Sequence, residues 1–200
     1  KMARLLETRF KERPLISDLI RPGDIVLLIM PIDQGAPRGR LILPQQQVLR
    51  EILDTSAIGI CVQPGEIEEA LASLQKAPRL VVTDSQVFGE ISPLIPESLP
   101  LVSFSMLFSR MKGDLGRQAE AAKTIDTLQD QDRILIAEGC THHRQCDDIG
   151  SVKLPAWLRT YTGRDLRFDV TSGGTFPGDL SSYKLVLHCG ACMLNTKEMQ

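Results

Sequence analysis

Six consecutive apolar residues, Ile25-Val26-Leu27-Leu28-Ile29-Met30, run without a polar interruption and stop at Pro31. An amphipathic strand would alternate, so a run with no polar face must be covered on both sides, as parallel sheets are when helices pack on each face. The text that follows repeats the unit. Pro44 stands at a first helical position before Val48, Leu49, Ile52 and Leu53, and Ile58 to Val62 reads as a second strand. Ile67, Ala70, Leu71 and Leu74 then give helical spacing after Pro64-Gly65, and Leu80-Val81-Val82 and Leu101-Val102 supply two further short strands. Residues 18–108 are therefore expected to form one α/β module.

Before it, Leu5 to Ile20 is a mixed-charge stretch broken at Pro14, read as a connector helix over residues 1–17 rather than a core element. After it, Ser109 to Asp132 is polar, with a helix expected from Leu115 to Leu128 capped by Asp114. Ile134 to Ala137, Leu166 to Val170 and Tyr183 to Leu187 read as strands, with helices at about Leu154 to Tyr161 and from Met193 onward. The expected fold class is α/β, with two small modules, each a mostly parallel sheet flanked by helices, the second spanning residues 109–200. Both ends of the chain read as cuts within a longer protein.

Composition excludes some functions. With 23 basic and 25 acidic residues the net charge is −2, without the basic excess that nucleic-acid binding requires. No apolar run approaches the ~18 residues of a membrane span, and no signal-peptide pattern opens the chain, so a cytoplasmic protein without nucleic-acid or membrane partners is expected. Five cysteines, an odd number that includes a CxxC pair, favour metal or redox chemistry in a reducing compartment over structural disulfides.

Three of those cysteines and two of the three histidines fall in two short limbs, Cys140-Thr141-His142 and His188-Cys189-Gly190-Ala191-Cys192, separated by the 45 residues from His143 to Leu187. Each limb lies just beyond the end of an expected strand. In open parallel sheets ligands bind past the carboxyl ends of the strands, so if these strands are neighbours, the thiolates can share one centre. A helix starting near Cys192 would direct free N–H groups at thiolate charge. Spacing alone leaves three readings open. A closed Cys₃His zinc site ranks first; a thioredoxin-like dithiol at Cys189 and Cys192 leaves Cys140 and His142 without a role; an iron–sulfur cluster on three cysteines, its last iron open or loosely ligated, is also compatible.

The remaining candidates have plainer explanations. Cys61 closes an apolar strand and reads as a buried small hydrophobe, Cys146 as a loop cysteine, and His143 as solvated. Asp147 and Asp148 could offer a carboxylate to iron or cap the turn at Ile149-Gly150. Trp157 and Phe168 are expected in the core of the second module, and Glu66, Glu68 and Glu69 on a solvated helix face.

The combination of Cys140-Thr141-His142-His143 with His188-Cys189-Gly190-Ala191-Cys192 resembles the CxH…HCxxC signature of the HydF family, the maturation GTPase and scaffold of [FeFe]-hydrogenase. Pro31-Ile32-Asp33, Ala36 to Pro44, Asp147-Asp148-Ile149-Gly150 and Thr171-Ser172-Gly173-Gly174 are similar to the family as well. The resemblance covers nearly the whole chain. It implies a dimerisation domain at 18–108 and a cluster-binding domain at 109–200, with Cys140, Cys189 and Cys192 as ligands of a [4Fe–4S] cluster. His142 and His188 would contact the exchangeable iron or tune the site around it. It further implies a homodimer that carries a transient di-iron precursor, built by radical-SAM maturases, to the apo-hydrogenase. The family's GTPase domain has no counterpart here: no GxxxxGK[ST] occurs, so no nucleotide site and no enzymatic activity are expected of these residues.

Overall fold

Every residue of strand β1 (Ile25–Ile29) is buried, and the strand is hydrogen-bonded in parallel to a neighbour on each side, as its unbroken apolar run requires. The computed structural model of the chain describes residues 13–32, 39–138, 149–172 and 177–188. These fall into two compact units, residues 1–111 and 112–200.

In the first unit, β1 is followed by helix α1 (Leu43–Asp54), strand β2 (Ile58–Val62), helix α2 (Ile67–Ser73), strand β3 (Leu80–Thr83), a short helix α3 (Phe88–Ile91), strand β4 (Leu101–Ser103) and helix α4 (Phe104–Lys112), which runs to the unit boundary. The four strands form one parallel sheet in the order β2-β1-β3-β4. Alternate residues of β1 enter two different cores. Val26 and Leu28 join Val48, Ile52, Phe104, Leu107 and Phe108 on one face, while Leu27 and Ile29 join Ile67, Val81, Ile91 and Ile95 on the other. Burying a side chain of this size stabilises by roughly 1.5–3 kcal/mol, so the central strand anchors both layers. Helix α1 lies close on its neighbour: a Cβ on Gly59 of β2 would meet Leu49 Cδ1 at 3.0 Å.

Two features of this unit depart from the sequence reading. Leu15, Ile16 and Ile20, assigned to a connecting segment, are buried in the first core. The backbone N–H groups of Leu15, Ile16 and Ser17 donate to the Glu51 carboxylate at 3.1, 3.2 and 2.9 Å, so one acidic side chain of α1 supplies the acceptors this short segment lacks. Helix α4, not anticipated, starts at the residue directly after β4. Glu66, Glu68 and Glu69 are exposed, as expected.

The second unit contains helix α5 (Leu115–Ala122), strand β5 (Arg133–Glu138), helix α6 (Leu154–Thr162) and strands β6 (Arg167–Ser172) and β7 (Leu185–His188). Asp114 caps α5, its carboxylate accepting from Arg117 N–H at 3.1 Å. Helix α6 ends where Gly163 adopts a left-handed φ of +64°, the conformation glycine adopts without strain. The sheet is parallel in the order β6-β5-β7. On one face Ile134, Phe168, Leu185 and Leu187 pack with Leu128, Leu158 and Leu166. Trp157, expected in this core, is 44% exposed instead, because Leu158, the next residue of α6, faces the sheet. The helix expected from Met193 lies outside the described residues.

Candidate metal centre

Strands β5 and β7, about fifty residues apart in sequence, are hydrogen-bonded neighbours and run in the same direction, with Ala137 paired to His188 at the last register position. From β5 the chain passes through α6 to β6 on one side, and then β7 joins β5 on the other. The junction between β5 and β7 is thus where the strand order reverses, the position at which open α/β sheets leave a crevice beyond their carboxyl ends. Cys140 follows Glu138, the end of β5, by two residues, and Cys189 follows His188, the end of β7, directly. The condition set by the sequence, that the two delivering strands be neighbours, is met.

Of the expected site residues, His188 is described; Cys140, His142, Cys189 and Cys192 lie outside the described residues, as do His143, Cys146, Asp147 and Asp148. Among the described residues no three metal-ligating side chains gather in one place. His188 is half-buried, and its Nδ1 is fully covered without a hydrogen-bond partner among them. Burial first, and the positive charge of Lys112 second, push its pKa below the ordinary histidine value. The imidazole is therefore neutral at pH 7, the form that ligates a metal or accepts a hydrogen bond. A covered, unpartnered ring nitrogen beside the exit of a CxxC segment fits a metal centre, and the thiolate-rich donor set of the two limbs suits iron–sulfur or zinc.

Register also places residues that sequence reasoning passed over. Glu138 and Ser172 are partners at the ends of β5 and β6, and Ala137 and Thr171 are partners one step earlier. Strand alternation puts Glu138 on the sheet face opposite to His188. Glu138 is only 6% exposed. It is packed against Gly150, where an added Cβ would lie 2.6 Å from Glu138 Oε1 and 2.9 Å from its Cγ. The sequence held a signal for it, since Glu138 continues the apolar strand Ile134-Leu135-Ile136-Ala137 without a break.

In the first unit, Cys61 corrects an expectation. It is exposed rather than buried, because β2 is the outer strand of the first sheet, although local desolvation still raises its thiol pKa. No described helix is long and apolar enough to cross a membrane.

Two family models match the chain, the Hydrogen maturase F dimerization domain over residues 15–113 and the Hydrogen maturase F tetramerization domain over residues 116–200. No curated protein matches it. Both matched domains are named for self-association, and the second adds a tetramer to the dimer expected from sequence.

Proposed function

Because the chain belongs to the hydrogen maturase F family, we propose that it is a scaffold of [FeFe]-hydrogenase maturation whose second unit binds a [4Fe–4S] cluster and carries a di-iron precursor to the apo-hydrogenase. The family assigns the chain to hydrogenase maturation and self-association. Cluster and cargo are our reading. One observation carries it: β5 and β7 are parallel neighbours that end together, so the Cys140 limb and the Cys189–Cys192 limb leave the sheet from adjacent positions.

Cys140, Cys189 and Cys192 would hold the cluster. When bound through three thiolates, such a cluster presents one iron to an exchangeable ligand. His188, neutral at pH 7, would offer Nδ1 toward the centre or toward a group bound there, and His142 would act from the other limb. The sheet edge fixes the starting points of both limbs. The radical-SAM maturases would supply the cargo and the apo-hydrogenase would receive it.

Anaerobic reconstitution with iron and sulfide tests the reading. About four irons per chain, a visible charge-transfer band and an EPR signal on reduction are expected, with Cys140→Ala, Cys189→Ala and Cys192→Ala each losing them. A colourless protein that retains stoichiometric zinc and refuses iron would replace the cluster with a structural site. Reversible disulfide formation between Cys189 and Cys192, with turnover independent of Cys140, would make it a dithiol oxidoreductase.

A further inference from the structure

Strand β6 is one of the two outer strands of the second sheet, and four of its six residues, Arg167, Asp169, Val170 and Ser172, are exposed. We propose that its outer edge pairs antiparallel with β6 of a second copy of this chain, centred on Phe168, so that Arg167 of each copy faces Asp169 of the other. The seam locates the self-association of the second unit and is independent of the cluster-binding reading.

Backbone parity decides which groups face the partner. Arg167 N–H donates to the Asp132 carbonyl at 3.0 Å, and β6 stays in register with β5 from Arg167 to Ser172. In a parallel ladder alternate residues make both bonds to one neighbour. Arg167, Asp169 and Thr171 therefore bond to β5, and the N–H and C=O groups of Phe168 and Val170 point outward, where no described strand pairs with them. Outer strands are ordinarily blunted by lysine, proline or a bulge. Strand β6 has no lysine or proline, and its register is unbroken. The other outer strand, β7, is shorter, and its first residue, Leu185, is buried.

The side chains identify the occupant as a second copy. Arg167, Phe168 and Asp169 read positive, aromatic, negative, and an antiparallel copy presents negative, aromatic, positive. Centred on Phe168, the pairing opposes Arg167 and Asp169 twice, with Cβ atoms of facing residues about 4.5–5.5 Å apart. Centring on Asp169 would instead set two carboxylates against each other. Both groups keep capacity for a partner. Arg167 donates through Nε to Gln131 Oε1 at 2.6 Å, a bond that does not occupy its two terminal nitrogens, and the Asp169 carboxylate that accepts from Arg133 can accept further donors. Leu166 is buried, which keeps the seam short and puts its strength in the charge pairs. The seam is isologous, and two isologous contacts, one in each unit, build a tetramer. That is the assembly for which the domain matched over residues 116–200 is named.

Light scattering after size exclusion, run on the whole chain over a concentration series, tests the seam. The parent is expected as a tetramer. Arg167→Asp and Asp169→Lys each oppose like charges twice and should raise the dimer–tetramer dissociation constant by roughly 100-fold, leaving dimers. An equimolar mixture of the two variants restores opposite charges at every pair, so tetramers should return. Salt gives a second readout that misfolding would not imitate: about 1 M salt, which screens exposed charges, should weaken the parent tetramer and strengthen that of Arg167→Asp. Should Asp169→Lys fail to fold, Arg167→Asp and its salt response carry the test. Unchanged tetramers in both single variants would overturn the seam, as would a parent that never exceeds a dimer. Single variants whose tetramers return neither on mixing nor in salt would overturn it as well.

Discussion

Arg133, the first residue of β5, donates to the Asp169 carboxylate of β6 at 2.7 Å. The same guanidinium lies 4.7 Å from the centre of the Tyr183 ring, so one side chain reaches from the central strand toward both of its neighbours. Hydrogen bonds from Arg133 first, and from Tyr183 second, hold the Asp169 carboxyl below its ordinary pKa. A pKa lowered by folding contributes stability that is present above the unfolded value, about 3.9, and lost as pH falls through the folded one. The parent protein should therefore melt above Asp169→Asn from pH 5 to 7, and the gap should close below about pH 4 as the parent carboxyl is neutralised. The pair is exposed, so the gap is small. A gap that persists unchanged to about pH 2.5 would remove the ionic explanation.

Glu51 accepts three backbone hydrogen bonds from residues 15 to 17, and Glu51→Ala leaves all three donors to find water beside a buried segment. Urea unfolding should show a loss of about 1.5–3 kcal/mol, with Glu51→Gln in between. Earlier proteolytic cleavage near Leu15 should accompany it. A loss below about 0.5 kcal/mol would mean that water replaces the carboxylate at no cost.

Ile136 is fully buried on the central strand of the second sheet, whereas Val186 on β7 is 41% exposed. Ile136→Ala should cost about 2–5 kcal/mol, the transfer term plus an unfilled cavity. Val186→Ala should stay within about 0.5 kcal/mol. Equal effects in chemical denaturation would contradict the burial pattern.

Cys61 is exposed on an outer strand, with its thiol pKa raised by local desolvation. Iodoacetamide should modify it in the folded protein at pH 8, more slowly than a free cysteine because less thiolate is present. Peptide mapping reads the result, and modification that requires denaturant would place the thiol in the core. Cys61→Ser should leave stability within about 0.5 kcal/mol of the parent and iron uptake unaltered.

Much of the fold was legible where one residue pattern admits one physical solution. Ile25 to Met30 could only be a doubly covered strand, and Asp114 and Pro44 mark helix starts through chemistry local to them. Helix α4 was missed because no glycine or proline separates it from β4, and its start signal, Ser103, whose Oγ accepts from Met106 N–H at 3.1 Å, is also the last residue of the strand. Leu15 to Ile20 was misjudged because its acceptor, Glu51, is more than thirty residues away. For the candidate site, the limbs were legible as residue types at characteristic spacing. The adjacency of the strands that lead into them was not, since the pairing of β5 with β7 is a non-local choice that periodicity cannot encode. The Glu138–Gly150 contact was hidden for the same reason: a glycine announces freedom in the backbone, not the side chain that occupies its empty side.

Because β7 completes the edge from which both limbs depart, the order of synthesis matters. Cys140 leaves the ribosome about fifty residues ahead of Cys189, and β7 is the last described strand to be made. A nascent chain thus completes the first limb well before the strand that leads into the second exists. The neighbouring positions at the ends of β5 and β7 belong to the finished domain alone.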